Sequence, residues 1–397
     1  MEMNRLEKIL MPWEKRLQAQ ERLRRRLGVK EVERPTYERY ITGPIERFDR
    51  RKNAFATLSE DNPFGEDFRR QFQAHTGHTH YITSLPYSEL EIEDRIGQSL
   101  AKACIRPCSE YHPENFPVTP QEGRVEMEDR AWMSRLIKKV GLMLGADRVH
   151  ITKIDQRWVY KDVEIPHEYA IMIVVEHKPT LLKSAPSHFS WGSAADAYAR
   201  LKLISTQLSD FICGLGYEAR YRETLGTHDP EMLIVPMAID AGIGEFSRTC
   251  RVLSPEYGIN MRIKPVTTDL PLVADKPISF GLHEFCMSCE SCATFCPSNA
   301  VPFGEPTEDP PDPIFNNPGY KKWWLRADRC LIFWAANKKK WLSCGGRCIA
   351  VCPWVKPLVF FHNMVRWMAI HGPRPIKKLL VWGDKKFYGH GKSIKDG

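Results

Sequence analysis

No apolar run approaches the roughly eighteen residues that a bilayer-crossing helix requires; the longest, Tyr169 to Val175, is strand-sized. No segment therefore reads as a membrane-spanning helix. Charge of one sign is also scarce. Lys and Arg number 57 against 49 Asp and Glu, and the balance of +8 is a modest excess, compatible with nucleic acid or an anionic membrane surface as a partner. No apolar signal-peptide core follows the densest basic run, Arg22 to Arg26, so that run is not a twin-arginine export signal as it stands. It sits among Leu6, Leu10, Trp13, Leu17, Leu23 and Leu27, and reads as the solvated face of an amphipathic helix. No internal repeat appears outside two cysteine clusters. Disorder, collagen and simple coiled coil are excluded by 43% hydrophobic and 27% charged residues, with 11 Trp and 18 Phe.

What is abundant is cysteine in one place. Eight of the 12 cysteines (Cys286, Cys289, Cys292, Cys296, Cys330, Cys344, Cys348, Cys352) fall within 67 residues. Even scatter would put about two there, so the stretch points to metal rather than to a disulfide staple. The first cluster reads Cys286-Met-Ser-Cys289-Glu-Ser-Cys292-Ala-Thr-Phe-Cys296-Pro297. Its two-residue gaps put three thiolates on one tight loop around a cubane, and the three-residue gap sends the fourth away. In two-cluster ferredoxins that fourth cysteine ligates the other cluster. The second half is Cys344-Gly-Gly-Arg-Cys348-Ile-Ala-Val-Cys352-Pro353 with Cys330 upstream. The crossover rule then assigns Cys286, Cys289, Cys292 and Cys352 to one [4Fe–4S] cluster, and Cys330, Cys344, Cys348 and Cys296 to the other. Paired tetrathiolate zinc sites are the competing reading, but zinc knuckles do not carry this cadence twice. Cys104, Cys108, Cys213 and Cys250 read as small buried hydrophobes.

Around this segment the pattern is mixed. Helices are expected near Glu89–Ala103, Arg130–Leu144 and Ala194–Leu215, the last closed by Gly214 and Gly216. Strands are expected at Arg148–Ile154, Tyr169–Val175 and Met261–Thr267, with another apolar run at Leu233–Ile239. This is an α/β or α+β body with a buried sheet. The expected domains are an N-terminal helical and irregular region over 1–130, a core over 131–283 together with 360–397, and a ferredoxin-like iron–sulfur domain over 284–359. Two cubanes move single electrons over a distance, and nearly 300 residues precede them. The electrons are thus meant for a cofactor or substrate held by the larger body. The aromatic stretch Leu358–Trp382 reads as helix packed on that body rather than on a membrane surface.

Gly216-Tyr217, Ala241-Gly-Ile-Gly-Glu-Phe-Ser-Arg248, Pro255-Glu-Tyr-Gly258, Arg262, Thr268-Asp-Leu-Pro-Leu272, the double cysteine motif and Trp382-Gly-Asp-Lys-Lys-Phe-Tyr-Gly389 together resemble the corrinoid- and iron–sulfur-dependent reductive dehalogenases. The resemblance implies an α+β fold: an α/β nitroreductase-like corrinoid-binding core with an inserted bacterial ferredoxin-like two-[4Fe–4S] module. It implies a base-off cobamide near one cluster. No Asp-x-His-x-x-Gly stretch offers a lower histidine ligand, which fits base-off binding. Gly242 and Gly244 are expected to let backbone approach the ring, with a tight turn as the equal alternative. Phe333 and Trp334 are expected to pack on the macrocycle.

Reducing a carbon–halogen bond needs two electrons and one proton. Tyr198, 19 residues before Tyr217, matches the family's proton-donating tyrosine, and Arg262 matches the arginine beside it. A phenol with a pKa of roughly 10 is a reluctant acid, and a fixed guanidinium stabilises the tyrosinate left behind. Taken alone, Tyr198 would be a core tyrosine and Arg262 an ordinary strand arginine. Thr224 stands where the family often has an Asn-type residue, Leu225 to Asp229 look inserted, and His228 is offered a pocket role. The expected partners are a small organohalide, an electron donor and a small membrane-anchor protein, with no nucleic acid and oligomers left open. The expected location is the outer face of the cytoplasmic membrane if an export signal has been removed, and the cytoplasm otherwise. The rival functions are an epoxyqueuosine reductase-like tRNA-modifying enzyme, against which no Gly-Lys-Asn-Thr segment is found, and a non-enzymatic electron-transfer subunit.

Overall fold

The computed structural model describes residues 2–79, 86–110, 119–125, 128–221, 231–337 and 346–389. Its centre is a four-stranded sheet built from β1 (Arg148–Lys153), β2 (Tyr169–Glu176), β3 (Ala219–Arg220) and β4 (Met261–Thr268), in the order β1-β2-β4-β3. All three pairings are antiparallel, which settles the class as α+β. β2 is apolar along its length because the sheet is covered on both faces. Tyr169, Ile171, Ile173 and Val175 enter one core, whereas Ala170, Met172 and Val174 enter the other. The period of two in a strand divides one continuous apolar run between two hydrophobic layers.

The first layer is made by α1 (Met11–Leu27), α2 (Arg130–Met143) and α3 (His188–Gly214), through residues such as Leu10, Leu136, Ile137, Leu201 and Ile212. α3 begins six residues before its expected start. Ser187 and Ser190 form a reciprocal capping box that satisfies the first free amides. At its other end Gly216 takes a left-handed φ of +86°, where a side chain would strike Arg124. The second layer contains the Leu233–Ile239 run, which is a helix, α4 (Ile234–Asp240), packed with Trp158 and Val252. The expected single N-terminal helix is two, Glu2–Ile9 and α1, with Pro12 in the first turn of α1.

The cysteine segment has little regular structure: short helices at Leu282–Ser288, Ser291–Thr294, Ala327–Ala336 and Arg347–Ala350. α5 (Phe360–His371) and α6 (Arg374–Tyr388) form an antiparallel pair against Leu282–Ser288 and α1. Packing on the body holds for one side of this pair only. Ala369, Arg366, Lys377 and Val381 are buried, but Phe360 is 86% and Phe387 83% exposed, with Phe361, Trp367, Leu379 and Trp382 also outward. The pair is apolar over more of its circumference than the body can cover. Among the described residues no helix is long and apolar enough to cross a membrane.

Candidate active site and iron–sulfur centres

Three adjoining cavities run through the molecule. The first is lined by Cys286, Cys289, Cys292 and Cys352 with Phe285, Leu253 and Trp354. The second is lined by Cys296, Cys330 and Cys348 with His177, Arg251, Arg262 and Trp334. Cys344, the fourth member of that set, lies outside the described residues. The described cysteines of the segment thus fall into two groups, four at the first hollow and three at the second. Ser291–Thr294 and Arg347–Ala350, the short helix inside each motif, pack on each other, and Cys296 and Cys352, each two residues beyond its helix, line opposite hollows. The sulfurs rim these hollows instead of meeting at a point: among the described residues no three ligating side chains are placed to hold a single ion. Burial pushes the Cys286 thiol up to about 12 and those of Cys292 and Cys352 well above the ordinary value. Such thiols stay protonated in a dry hollow until a bound cation makes them thiolates.

Arg248, at the end of the Ala241–Arg248 segment, was not singled out from the sequence. It is wholly buried beside the first hollow and donates to the carbonyls of Cys286 at 2.8 Å, Gly304 at 2.8 Å and Pro302 at 3.0 Å. Its guanidinium also lies 4.7 Å from the Trp323 ring centre.

The third cavity measures about 450 Å³ and shares Arg251, Arg262, Cys330 and Trp334 with the second. Its walls are α4, the outer face of β4, and aromatic residues including Phe48, Trp158, Tyr160 and Tyr320. That volume is within the range of roughly 300–1,000 Å³ typical of ligand sites. Tyr198, halfway along α3, and Arg262, second residue of β4, meet at its wall. The guanidinium carbon lies 5.1 Å from the ring centre of Tyr198. Among the described residues neither the Tyr198 hydroxyl nor the Arg262 Nε has a hydrogen-bond partner. Burial lowers the Arg262 pKa from its ordinary value, and the neighbouring Tyr198 works against that shift. Buried polar atoms without protein partners at the wall of a roomy cavity suit a ligand that supplies them.

The remaining site expectations divide. Trp334 lines both the second and third cavities, whereas Phe333 lines neither. Gly242 and Gly244 line neither cavity as well, and the turn alternative holds for them. A Cβ at Gly242 would lie 2.2 Å from the Lys276 carbonyl oxygen, and one at Gly244 would lie 2.0 Å from that of Leu253. They let backbone approach backbone, not a ring. Thr224, the Leu225–Asp229 segment and His228 lie outside the described residues, as does the side chain of Cys108. Cys213 is a buried apolar contact, but Cys250 at the third cavity has a left-handed φ of +56° and its thiol donates to the Trp323 carbonyl. His177 was missed altogether. Its only local sign is its place directly after an apolar strand, and its neighbours come from other elements.

A family model described as a 4Fe-4S dicluster domain matches residues 285–355. A tetrachloroethene reductive dehalogenase of Sulfurospirillum multivorans is 28% identical over 308 residues, 68% of this chain and 59% of that protein. One from Desulfitobacterium hafniense is 29% identical over 309 residues, 64% and 54% respectively. The chain spans a little over half the length of these curated relatives. An epoxyqueuosine reductase of Bacillus subtilis is 26% identical over 44% of the chain and 41% of its own length. Among solved structures, a reductive dehalogenase described for B12-dependent dehalogenation superposes with a TM-score of 0.72 at 22% identity, covering 93% of this chain and 50% of the other. A catabolic reductive dehalogenase in complex with 3-bromo-4-hydroxybenzoic acid gives 0.69 at 22% identity, over 92% and 50%. Mixed helix and sheet, a dicluster segment and these relatives agree: the chain is a relative of the reductive dehalogenases and has their fold.

Proposed function

We propose that the chain carries out reductive dehalogenation: removal of halide from an organohalide with two electrons and one proton. The observation that carries this reading is the Tyr198–Arg262 pair at the wall of a large cavity that adjoins the hollow of Cys296, Cys330 and Cys348. Cys286, Cys289, Cys292 and Cys352 would hold one [4Fe–4S] cluster and Cys296, Cys330, Cys344 and Cys348 another, and the pair would supply single electrons. The sheet and its two helical layers are read as a nitroreductase-like core holding a base-off cobamide in the third cavity. When bound, that cofactor supplies a redox-active cobalt for the carbon–halogen step. Trp334 and the apolar wall of Met232, Ile234, Pro236 and Ile259 line that cavity and would flank the cofactor and keep out water.

The chain's own contribution to the chemistry is the proton. Tyr198 holds it on a hydroxyl with no competing acceptor among the described residues, and Arg262, fixed over the ring, stabilises the phenolate after transfer. The substrate is a small organohalide. The exposed aromatic side of α5 and α6 supports a small membrane-anchor partner, and with it a position at the outer membrane face if the chain is exported.

Holoprotein purified anaerobically, with cobalt and iron quantified, tests this against a panel of chlorinated and brominated alkanes, alkenes and phenols. Tyr198→Phe should keep both metals and lose turnover by about 10²–10⁴-fold; near-full activity removes Tyr198 from the mechanism. Iron without cobalt from a vitamin-replete host removes the corrinoid. The similarity to an epoxyqueuosine reductase keeps one second reading in play, and deoxygenation of a modified nucleoside in place of halide release would establish it.

A further inference from the structure

His177 is a buried polar group beside the second hollow that the chemistry above does not use. It stands one residue beyond β2 and is 2% exposed. Its backbone is satisfied: the amide donates to the Asn260 carbonyl at 3.2 Å, and the Asn260 side-chain amide donates to its carbonyl at 3.4 Å. The ring is not. Among the described residues neither ring nitrogen has a hydrogen-bond partner. The same ring lines the cavity of Cys296, Cys330 and Cys348, together with Ser190, Thr249 and Arg251. Burial first, and then Arg262 and Arg251, hold its pKa well below the ordinary 6.5. The imidazole is therefore neutral, with one nitrogen a donor and the other an acceptor.

A donor sealed from water and given no acceptor among the described residues suits an acceptor that arrives with a bound group. The guanidinium groups beside it only donate, so neither can receive the proton. Sulfur can. We infer that His177 donates its ring N–H to a sulfur of the cluster held by Cys296, Cys330, Cys344 and Cys348, and thereby raises that cluster's reduction potential. A hydrogen bond to sulfur stabilises the more negative, reduced state, a recognised lever on cluster potentials. His177 is in this sense a positioning residue that acts through the cluster. It biases the electron toward the centre next to the cavity where Tyr198 and Arg262 stand. The inference rests on the proposed two-cluster reading.

The test is a redox titration followed by electron paramagnetic resonance on anaerobically reconstituted wild-type and His177→Phe chains, with iron measured in both. The expected result is equal iron, one cluster shifted to lower potential, and the other unchanged, with His177→Asn moving the shifted cluster back toward wild type. Unchanged potentials in both clusters at full iron overturn the inference. An equal shift of both overturns it too, since that marks a general structural effect. If the phenylalanine chain does not fold, His177→Leu is read by the same criteria. A wild-type chain without two clusters overturns the parent reading and this one together, and iron content alone reveals that case.

Discussion

At Glu256 one carboxylate serves two arginines, Arg24 at 2.6 Å and Arg148 at 2.7 Å. Burial works to raise its pKa, yet Arg148 and Arg24 together hold it below the usual carboxylate range. Arg24 also donates to the carbonyls of Gly242 and Ile243. The run Arg22–Arg26 is therefore not wholly a solvated face: one of its members turns inward and ties α1 to the Ala241–Arg248 segment. Removing one partner of a buried ion pair leaves the others uncompensated, at a typical cost of about 3–5 kcal/mol. Glu256→Gln should accordingly lower the unfolding free energy from urea titration by that order, and a change below about 1 kcal/mol would show that the arginines find other partners. Tyr198 and Arg262 make the opposite lesson. Their pairing was legible only through motif resemblance, because 64 residues separate them and only packing brings α3 against β4.

Among the elements, the segment from Ala241 to Phe246 is the least tolerant of added volume. Gly244 precedes the short strand Glu245–Phe246, which pairs with Val252–Leu253. Its missing side chain is where the Leu253 carbonyl sits. Overpacking a tight site costs roughly 1–3 kcal/mol, so Gly244→Ala should lower the melting temperature measurably; an unchanged melting curve would mean that the hairpin opens without penalty. The glycines were noticed in the sequence, but their role depends on which backbone lies opposite: Leu253 across the hairpin for Gly244, and the more distant Lys276 for Gly242. Strand and helix positions followed from periodicity more reliably. The Leu233–Ile239 run is instructive, since a short apolar stretch has no period of its own. It is helical because it packs as one layer over β1 and β4.

For the whole molecule, two half-buried carboxyls favour acid rather than alkaline conditions. Burial lifts Asp240 from the usual 3.8 to about 7, and the Tyr37 hydroxyl donating to it at 2.7 Å only tempers that rise. Burial, followed by the neighbouring Asp147, lifts Glu176 from 4.5 to about 7. A raised folded-state pKa means that the native chain binds the proton more tightly than the unfolded one. The stability from these groups is complete below their unfolded pKa values and is lost as pH rises through about 7. Asp240→Asn should flatten the fall in melting temperature between pH 5 and pH 8; an unchanged slope would assign the dependence to other groups.

The iron–sulfur segment could be read from the chain itself, because the spacing of its cysteines is a short local pattern along the sequence. The antiparallel order of the sheet, the hollow that adjoins the large cavity and the place of His177 could not. His177, Tyr198, Arg262, Cys330 and Cys348 meet only after strand register and helix packing have closed loops of many residues, and local pattern carries no record of which distant side chains will share a wall.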